Sequence, residues 1–169
     1  MSSVACHCPD CGTLLKHRDF KLRIMKIEGG QKHFIQIERL KCSSCCRLHN
    51  ALPEILVPYK HYTTELISGV LDETITVGDL ENGEYPCEET MKNWNHWLMA
   101  NQEYIDGYMK SIGYRMLGFG EGLLHSKASL LTKLRKSSEV WLETILRFIY
   151  NSGGRLAPVR GGVFAPTLF

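Results

Sequence analysis

Two pairs of cysteines constrain the fold of this chain more than any other feature of its sequence. The first pair is Cys8 and Cys11, the second is Cys42 and Cys45, and 30 residues separate the pairs. Two residues between paired cysteines allow a tight turn to direct both sulfurs at one point, and two such turns complete a tetrahedron of thiolates around one ion. The spacing therefore predicts a zinc ribbon, a metal-bound β-hairpin with these four thiolates as its ligands.

Other uses of the sulfurs stay open at this point. A disulfide is the alternative in an oxidising compartment. Two such cysteine-pair turns, called knuckles, also hold iron in proteins that resemble rubredoxin. That family has glycine after its second knuckle, whereas here a cysteine follows it. Neighbouring side chains also offer replacement ligands, namely Cys6, His7, Cys46 and His49. Four protein ligands leave no open position for water, so the predicted zinc site is structural rather than catalytic.

The charge of the chain is unevenly distributed, although its net value is only +2. Residues 1–63 carry ten Lys and Arg against five Asp and Glu, and residues 110–169 carry nine against three. Residues 64–109 carry one against ten. Two basic ends favour binding to a polyanion through their Lys and Arg side chains, whereas the acidic middle opposes it.

Composition is that of a globular protein, with 44% hydrophobic and 22% charged residues. The sequence has no run of about 18 apolar residues that would predict a transmembrane helix. Residues 1–6 lack the charged start and apolar core of a secretory signal. We therefore expect a cytoplasmic protein with reduced thiols and no membrane association.

The segment between the cysteine pairs predicts a β-hairpin. Residues 22–27 and 34–38 are strand-like, and Gly29-Gly30 suits the tight turn between them. Apolar periodicity and capping residues predict helices in the rest of the chain, over residues 64–71, 87–117, 123–136 and 138–150, with a helical turn at 76–80. The predicted fold class is α+β, a zinc-ribbon hairpin followed by a mostly α-helical domain.

The predicted order of domains follows from these elements. It is a zinc ribbon over 1–50, an extended linker over 51–62, a helix-turn-helix-like unit over 63–117, and carboxyl-terminal helices with an extended tail over 118–169. The helix-turn-helix interpretation rests on a short helix, a brief second element and a longer third helix.

In that interpretation the third helix enters the major groove of DNA, where Asn reads adenine edges and Lys meets guanine or phosphate. Its candidate DNA-binding residues are Lys92, Asn93, Asn95 and His96. Trp94 is expected to face the core. The hairpin offers a second candidate set for phosphate contacts, namely Lys21, Arg23, Lys26 and Lys32.

Three strings of the sequence resemble a bacterial family of uncharacterised proteins. They are CPDCGTLLKHRDF, IERLKCSSCCRLHNALPEILVPYKHY and YPCEETMKNWNHW, within roughly residues 8–100. The pattern of that family is a zinc ribbon, an LP…PYKHY linker and a helix-turn-helix segment. It is in turn similar to the amino-terminal regions of several insertion-sequence transposases. The resemblance implies a DNA-binding function linked to mobile elements.

These observations predict a non-enzymatic DNA-binding protein with a structural zinc ion, either a regulator or an accessory factor derived from a transposase. No nucleophile elbow, phosphate loop or HExxH motif can be assembled from the sequence. The alternative is a protein-interaction adaptor, in which the acidic middle and the apolar helix near Trp141 dock a protein partner or a second copy of the chain.

Overall fold

The structure is a computed structural model that describes residues 6–79, 86–117 and 120–158. Within these residues an antiparallel sheet of strand order β1-β2-β3 precedes four α-helices, which confirms the α+β fold class. The strands are β1 (Leu15–Lys26), β2 (Lys32–Cys42) and β3 (Leu48–Ala51). The helices are α1 (Thr64–Leu71), α2 (Glu88–Leu117), α3 (Leu130–Ser137) and α4 (Trp141–Asn151). No helix of the described ranges combines the length and apolar character needed to cross a membrane.

Strands β1 and β2 form the predicted hairpin, and its turn is built on glycine. Gly29 and Gly30 have φ angles of 74° and 72°, a left-handed conformation that glycine adopts without steric cost. The strands are longer than predicted, since β1 already begins at Leu15. Their register shifts once, at a bulge between His17 and Asp19. Strand β3, which pairs with β2, is an element that the sequence does not predict.

The segment after β3 is not the extended linker that its prolines predict. Its backbone turns twice, because the Leu56 amide donates to the Pro53 carbonyl at 3.0 Å and the Lys60 amide donates to the Val57 carbonyl at 3.2 Å. Leu56 and Val57 are buried, at 3% and 0% exposure. Proline excludes helix at the preceding residue but leaves such turns open. The segment therefore packs as part of the fold.

This segment also fixes the hairpin to helix α2. The guanidinium of Arg23 on β1 donates to the backbone carbonyls of Val57 at 2.9 Å and Lys60 at 2.6 Å. The ammonium of Lys60 lies 4.4 Å from the centre of the Trp97 ring on α2. Burial lowers the pKa of that ammonium to about 8. The side chains of Arg23 and Lys60 thus join the sheet to the helices.

One hydrophobic core lies between the helices. The residues of α2 that belong to this core keep helical spacing, as the sequence predicts, and are Met91, Trp94, Trp97, Leu98 and Ile105. In α4, Trp141 is 1% exposed, and Ile145 and Ile149 are fully buried. The apolar face of α4 is therefore part of this core, and it is not the free docking face that the adaptor interpretation assigns to it.

Helices α3 and α4 begin later than predicted. Helix α3 begins at Leu130 rather than at residue 123, because the Ser129 side chain caps it by accepting from the amide of Thr132 at 3.0 Å. Residues 121–123 form only a turn of 3-10 helix. Helix α4 begins at Trp141 rather than at residue 138. Asn82-Gly83 and Pro86 also predict a loop before α2. Residues 82–85 of that loop and most of the predicted extended tail lie outside the described residues.

The charged residues of α4 pair with other parts of the chain. Glu143 Oε1 accepts a hydrogen bond from the Thr64 hydroxyl at 2.7 Å. Arg147 Nη1 forms an ion pair with Glu54 at 2.9 Å. The spacing of Glu143 and Arg147 along the helix favours an ion pair between them. Instead, Glu143 accepts a hydrogen bond from α1, and Arg147 forms its ion pair with the segment before α1.

The carboxyl end of α4 lies against the first cysteine pair. Gly153 follows the helix with a φ of 84°, and a Cβ atom at this position would lie 2.8 Å from the carbonyl oxygen of Pro9. Only glycine permits both this backbone conformation and this approach. The contact joins residues from opposite ends of the described chain.

Candidate metal centre

The four cysteines of the two pairs come together at the base of the hairpin. The Sγ atoms of Cys8 and Cys45 are 3.7 Å apart, and those of Cys11 and Cys42 are 3.4 Å apart. All four sulfurs lie within 4.8 Å of one another. Thiolates bound tetrahedrally to one ion at about 2.3 Å are about 3.8 Å apart. The arrangement therefore fits a single metal ion held by four sulfurs.

The two knuckles are closed by equivalent backbone hydrogen bonds. The amide of Cys8 donates to the carbonyl of Thr13 at 2.8 Å, and the amide of Cys42 donates to the carbonyl of Arg47 at 3.0 Å. In each case the first cysteine bonds to the fifth residue after it. This shared turn places both sulfurs of a pair on the same side of the backbone.

The residue after each pair has a left-handed backbone. Gly12 has a φ of 75°, and Cys46 has a φ of 60°. This conformation costs a residue with a Cβ atom about 1–2 kcal/mol. Cys46 thus occupies a position that favours glycine. Neither it nor the other neighbouring candidates Cys6 and His7 belongs to the four-sulfur group.

We predict that Cys46→Gly stabilises the metal-bound protein by roughly 0.5–1 kcal/mol, because glycine removes the left-handed strain but adds entropy to the unfolded chain. Urea unfolding under reducing conditions measures the change. Cys46→Ala is the matched control, since it removes the thiol and keeps the Cβ atom. Equal stability of the two variants would contradict the assignment of strain to this backbone.

The surroundings of Cys11 and Cys45 shift the pKa values of these two thiols in opposite directions. Hydrogen bonds with the Thr13 hydroxyl and backbone amide lower the pKa of Cys11 to about 6. The backbone amide of Arg47 lowers the pKa of Cys45, but burial and the neighbouring sulfurs outweigh it and raise that pKa to about 12. The thiols of Cys11 and Cys45 therefore do not ionise together unaided. A divalent cation supplies the positive charge that four thiolates require.

A histidine from β3 supports the sulfurs from one side. His49 Nε2 lies 3.4 Å from Cys8 Sγ and 3.9 Å from Asp10 Oδ2. Asp10 also forms an ion pair with Arg47 at 2.9 Å, which links the two knuckles. A ring N–H that donates to a ligand sulfur fixes its orientation. His49, one of the replacement ligands that the sequence offers, thus lies beside a sulfur, and its ligand atom lies within 4.8 Å of those of Cys8 and Asp10. The roles of Asp10 and Arg47 are ones that sequence reasoning did not assign.

The candidate DNA-binding residues of the hairpin have different environments. Arg23 is occupied by the two carbonyls described above. Lys26 Nζ lies 3.4 Å from the Tyr62 hydroxyl and 5.0 Å from the centre of that ring. Lys21 and Lys32 are exposed. Arg23 therefore holds the fold together, while the lysines present charge at the surface.

The candidate DNA-binding residues of α2 lie near its amino-terminal end. Lys92, Asn95 and His96 are exposed, and Asn93 is half-buried. The ammonium of Lys92 forms an ion pair with Glu88 at 2.7 Å. The one cation of this set is thus already neutralised by a neighbouring carboxylate on the same helix.

The segment between α1 and α2 differs from that of a helix-turn-helix unit. Helix α1 ends at Leu71 and α2 begins at Glu88, and the described residues between them contain only the 3-10 turn Val77–Asp79. A helix-turn-helix unit joins its two helices by about three or four residues. The described part of the chain therefore provides no support for the predicted unit.

The fold and the site define a protein in which a ribbon with four clustered cysteines, an arrangement compatible with a metal site, is joined to a helical core. A comparison with protein families matches residues 8–94 to a domain of unknown function, DUF6431. The match covers just over half of the 169 residues and includes both knuckles. The chain belongs to this family. Searches of curated proteins and of solved structures return no significant match.

Proposed function

We propose that this chain is a non-enzymatic DNA-binding protein with a structural zinc ion in its ribbon. Zinc prefers tetrahedral sites, and four thiolates would leave it no open position for chemistry. Metal analysis and the absorption spectrum of purified protein test this assignment, because an iron centre with the same ligands is coloured and zinc is not. The resemblance to transposase amino-terminal regions adds that the DNA belongs to a mobile element, with this protein as regulator or accessory factor.

The DNA proposal rests on two pairs of directly opposed lysines on the hairpin, each of which we name a lysine rung. Lys16 lies directly opposite Lys41, and Lys26 lies directly opposite Lys32. Like charges at opposed positions of neighbouring strands destabilise a sheet. The rungs are about 30 Å apart along β2. Nine residues separate Lys32 from Lys41 along β2, so the two rungs lie on opposite faces of the hairpin, and phosphates bound at a rung would relieve the repulsion there.

The two strand carboxylates whose side chains the structure describes, Asp19 and Glu38, have partners other than these lysines. Asp19 accepts from Arg39, which binds it through two nitrogens. Glu38 Oε1 lies 2.9 Å from His17 Nδ1. None of the four lysines forms an ion pair with a carboxylate whose side chain the structure describes. Their charge is therefore available to phosphates.

Arginines of the carboxyl-terminal helices are committed to ion pairs. Arg135 lies 2.7 Å from Asp72, and Arg147 lies 2.9 Å from Glu54. Because these two arginines are already paired with carboxylates, the hairpin is favoured over α3 and α4 as the phosphate-binding surface. We therefore assign the proposed DNA contact to the lysine rungs.

Replacement of one rung tests the proposal. We expect the unmodified protein to bind a random duplex at low salt and to lose affinity steeply as salt rises. The double variant Lys16→Gln/Lys41→Gln should reduce the slope of log affinity against log salt by about 2, because each lost phosphate contact removes about 0.9. A fluorescence anisotropy titration at several salt concentrations measures both slopes.

The matched control is Lys133→Gln/Lys136→Gln, which removes two exposed lysines of α3 and should leave the slope unchanged. Absence of duplex binding at low salt, or equal slopes for the two double variants, would contradict the assignment.

A further inference from the structure

One face of the hairpin exposes three large apolar side chains. Phe20, Leu22 and Phe34 are 57%, 65% and 66% exposed. The strand register places Leu22 opposite Gln36 and Phe34 opposite Ile24. Side chains two positions apart on a strand share a face, so the three lie together on what we name the open face.

The opposite face of the hairpin is the one that packs. Ile37 is 1% exposed, and Arg23 reaches from this same side to the connecting segment. The open face is therefore in contact with water around its three apolar side chains, whereas Leu40, farther along β2 on the same face, is 7% exposed. Single exposed apolar residues are ordinary, whereas a contiguous group marks a binding surface.

The charged side chains on the open face indicate what kind of ligand it binds. Alternation along the strands places the rung of Lys26 and Lys32 on this face, beyond Phe34 at the turn end. Its carboxylate, Glu38, is bonded to His17. The imidazole ring of His17 lies 4.9 Å from the ring of Phe20, centre to centre. The face therefore combines exposed aromatic rings with positive charge, and its carboxylate is bonded to an imidazole.

We propose that the open face binds single-stranded DNA, with bases stacked on Phe20 and Phe34 and phosphates held by Lys26 and Lys32. This rests on the proposed function, because it requires that the ribbon binds DNA. Bases of a duplex stack on one another, but an unpaired base offers its flat surface to an aromatic side chain, next to a cationic groove for the backbone. The rings are about 13 Å apart along the hairpin, so each takes a separate base.

Anisotropy of a short fluorescein-labelled oligo(dT), and of a duplex of the same length, tests the proposal at low salt. Phe20→Ala/Phe34→Ala is expected to weaken oligo(dT) binding by about 30-fold or more, since alanine in place of one stacked ring costs about 5-fold or more. Duplex binding through the lysine rungs should be retained. Both positions are exposed, and metal content with circular dichroism checks that the variant folds.

Two controls separate stacking from general apolar contact. Phe20→Tyr/Phe34→Tyr keeps both aromatic rings and should bind oligo(dT) within about threefold of the unmodified protein, as expected for sequence-tolerant stacking. Leu22→Ala removes an equally exposed apolar side chain and should change the affinity little. A loss with Leu22→Ala as large as that with the alanine pair would overturn the stacking assignment.

The remaining outcomes distinguish this inference from the proposed function. Unchanged oligo(dT) binding by Phe20→Ala/Phe34→Ala, with duplex binding intact, overturns the open-face assignment and leaves the DNA-binding proposal standing. Absence of binding to either probe overturns both. Tighter binding of the matched oligo(U) identifies RNA and overturns the assignment to DNA. Self-association that the alanine pair abolishes, without binding of oligo(dT), identifies an interface between copies and overturns the inference as well.

Discussion

Removal of the metal by a chelator, or the substitution Cys42→Ser, is expected to unfold the ribbon and abolish DNA binding. Cys42 is fully buried between the other sulfurs. Binding of a structural zinc ion contributes about 10–16 kcal/mol to the folding of small zinc-finger peptides. The hairpin has little core of its own, so the metal should supply much of its stability. Metal content, circular dichroism and a thermal melt measure the effect.

Cys87→Ser is the matched control for this prediction. Cys87 is exposed, lies outside the four-sulfur group and is 3.2 Å from the Thr90 hydroxyl, a contact that serine can preserve. We expect its metal content and melting temperature to equal those of the unmodified protein. A metal-free sample that melts at the same temperature and still binds DNA would refute a structural role for the metal.

Trp141→Ala is expected to destabilise the helical part by about 3–5 kcal/mol, because the loss of a buried tryptophan leaves a cavity in the core. Trp141 is 1% exposed, and its indole N–H donates to Asp72 Oδ2 at 2.7 Å. The guanidinium of Arg135 lies 5.1 Å from the centre of its ring. The variant therefore also removes a donor from Asp72. Urea unfolding followed by circular dichroism measures the loss.

Val140→Ala is the control, because Val140 precedes Trp141 and is 57% exposed. Its expected effect is within about 0.5 kcal/mol, as for other surface substitutions. If Trp141→Ala cost no more than Val140→Ala, the face of α4 that the structure buries would be wrongly assigned.

The cysteine ligands could be predicted because their chemistry is local. Two residues between paired cysteines determine the turn, so Cys8, Cys11, Cys42 and Cys45 are identifiable without knowledge of the rest of the fold. The supporting position of His49 was not predictable in the same way. It depends on β3, a strand of four residues whose composition carries no alternating apolar pattern.

The helices show the same division between local and distant causes. Helix α1 was predictable because Thr63 caps it and its buried residues follow helical spacing. The start of α3 was missed because leucines near residue 123 suggested an earlier beginning than the Ser129 cap allows. The role of Arg23 depends on carbonyls more than thirty residues away in sequence, which local patterns do not reveal.

The approach of Gly153 to Pro9 has a consequence for the order of events during synthesis. All four cysteines have been synthesised once Cys45 is made, so an ion can be captured after they emerge from the ribosome, while much of the helical part does not yet exist. The surface that closes against Pro9 arrives more than one hundred residues later. The first knuckle is thus translated long before its neighbour, and a bound ion would hold it in shape during the interval.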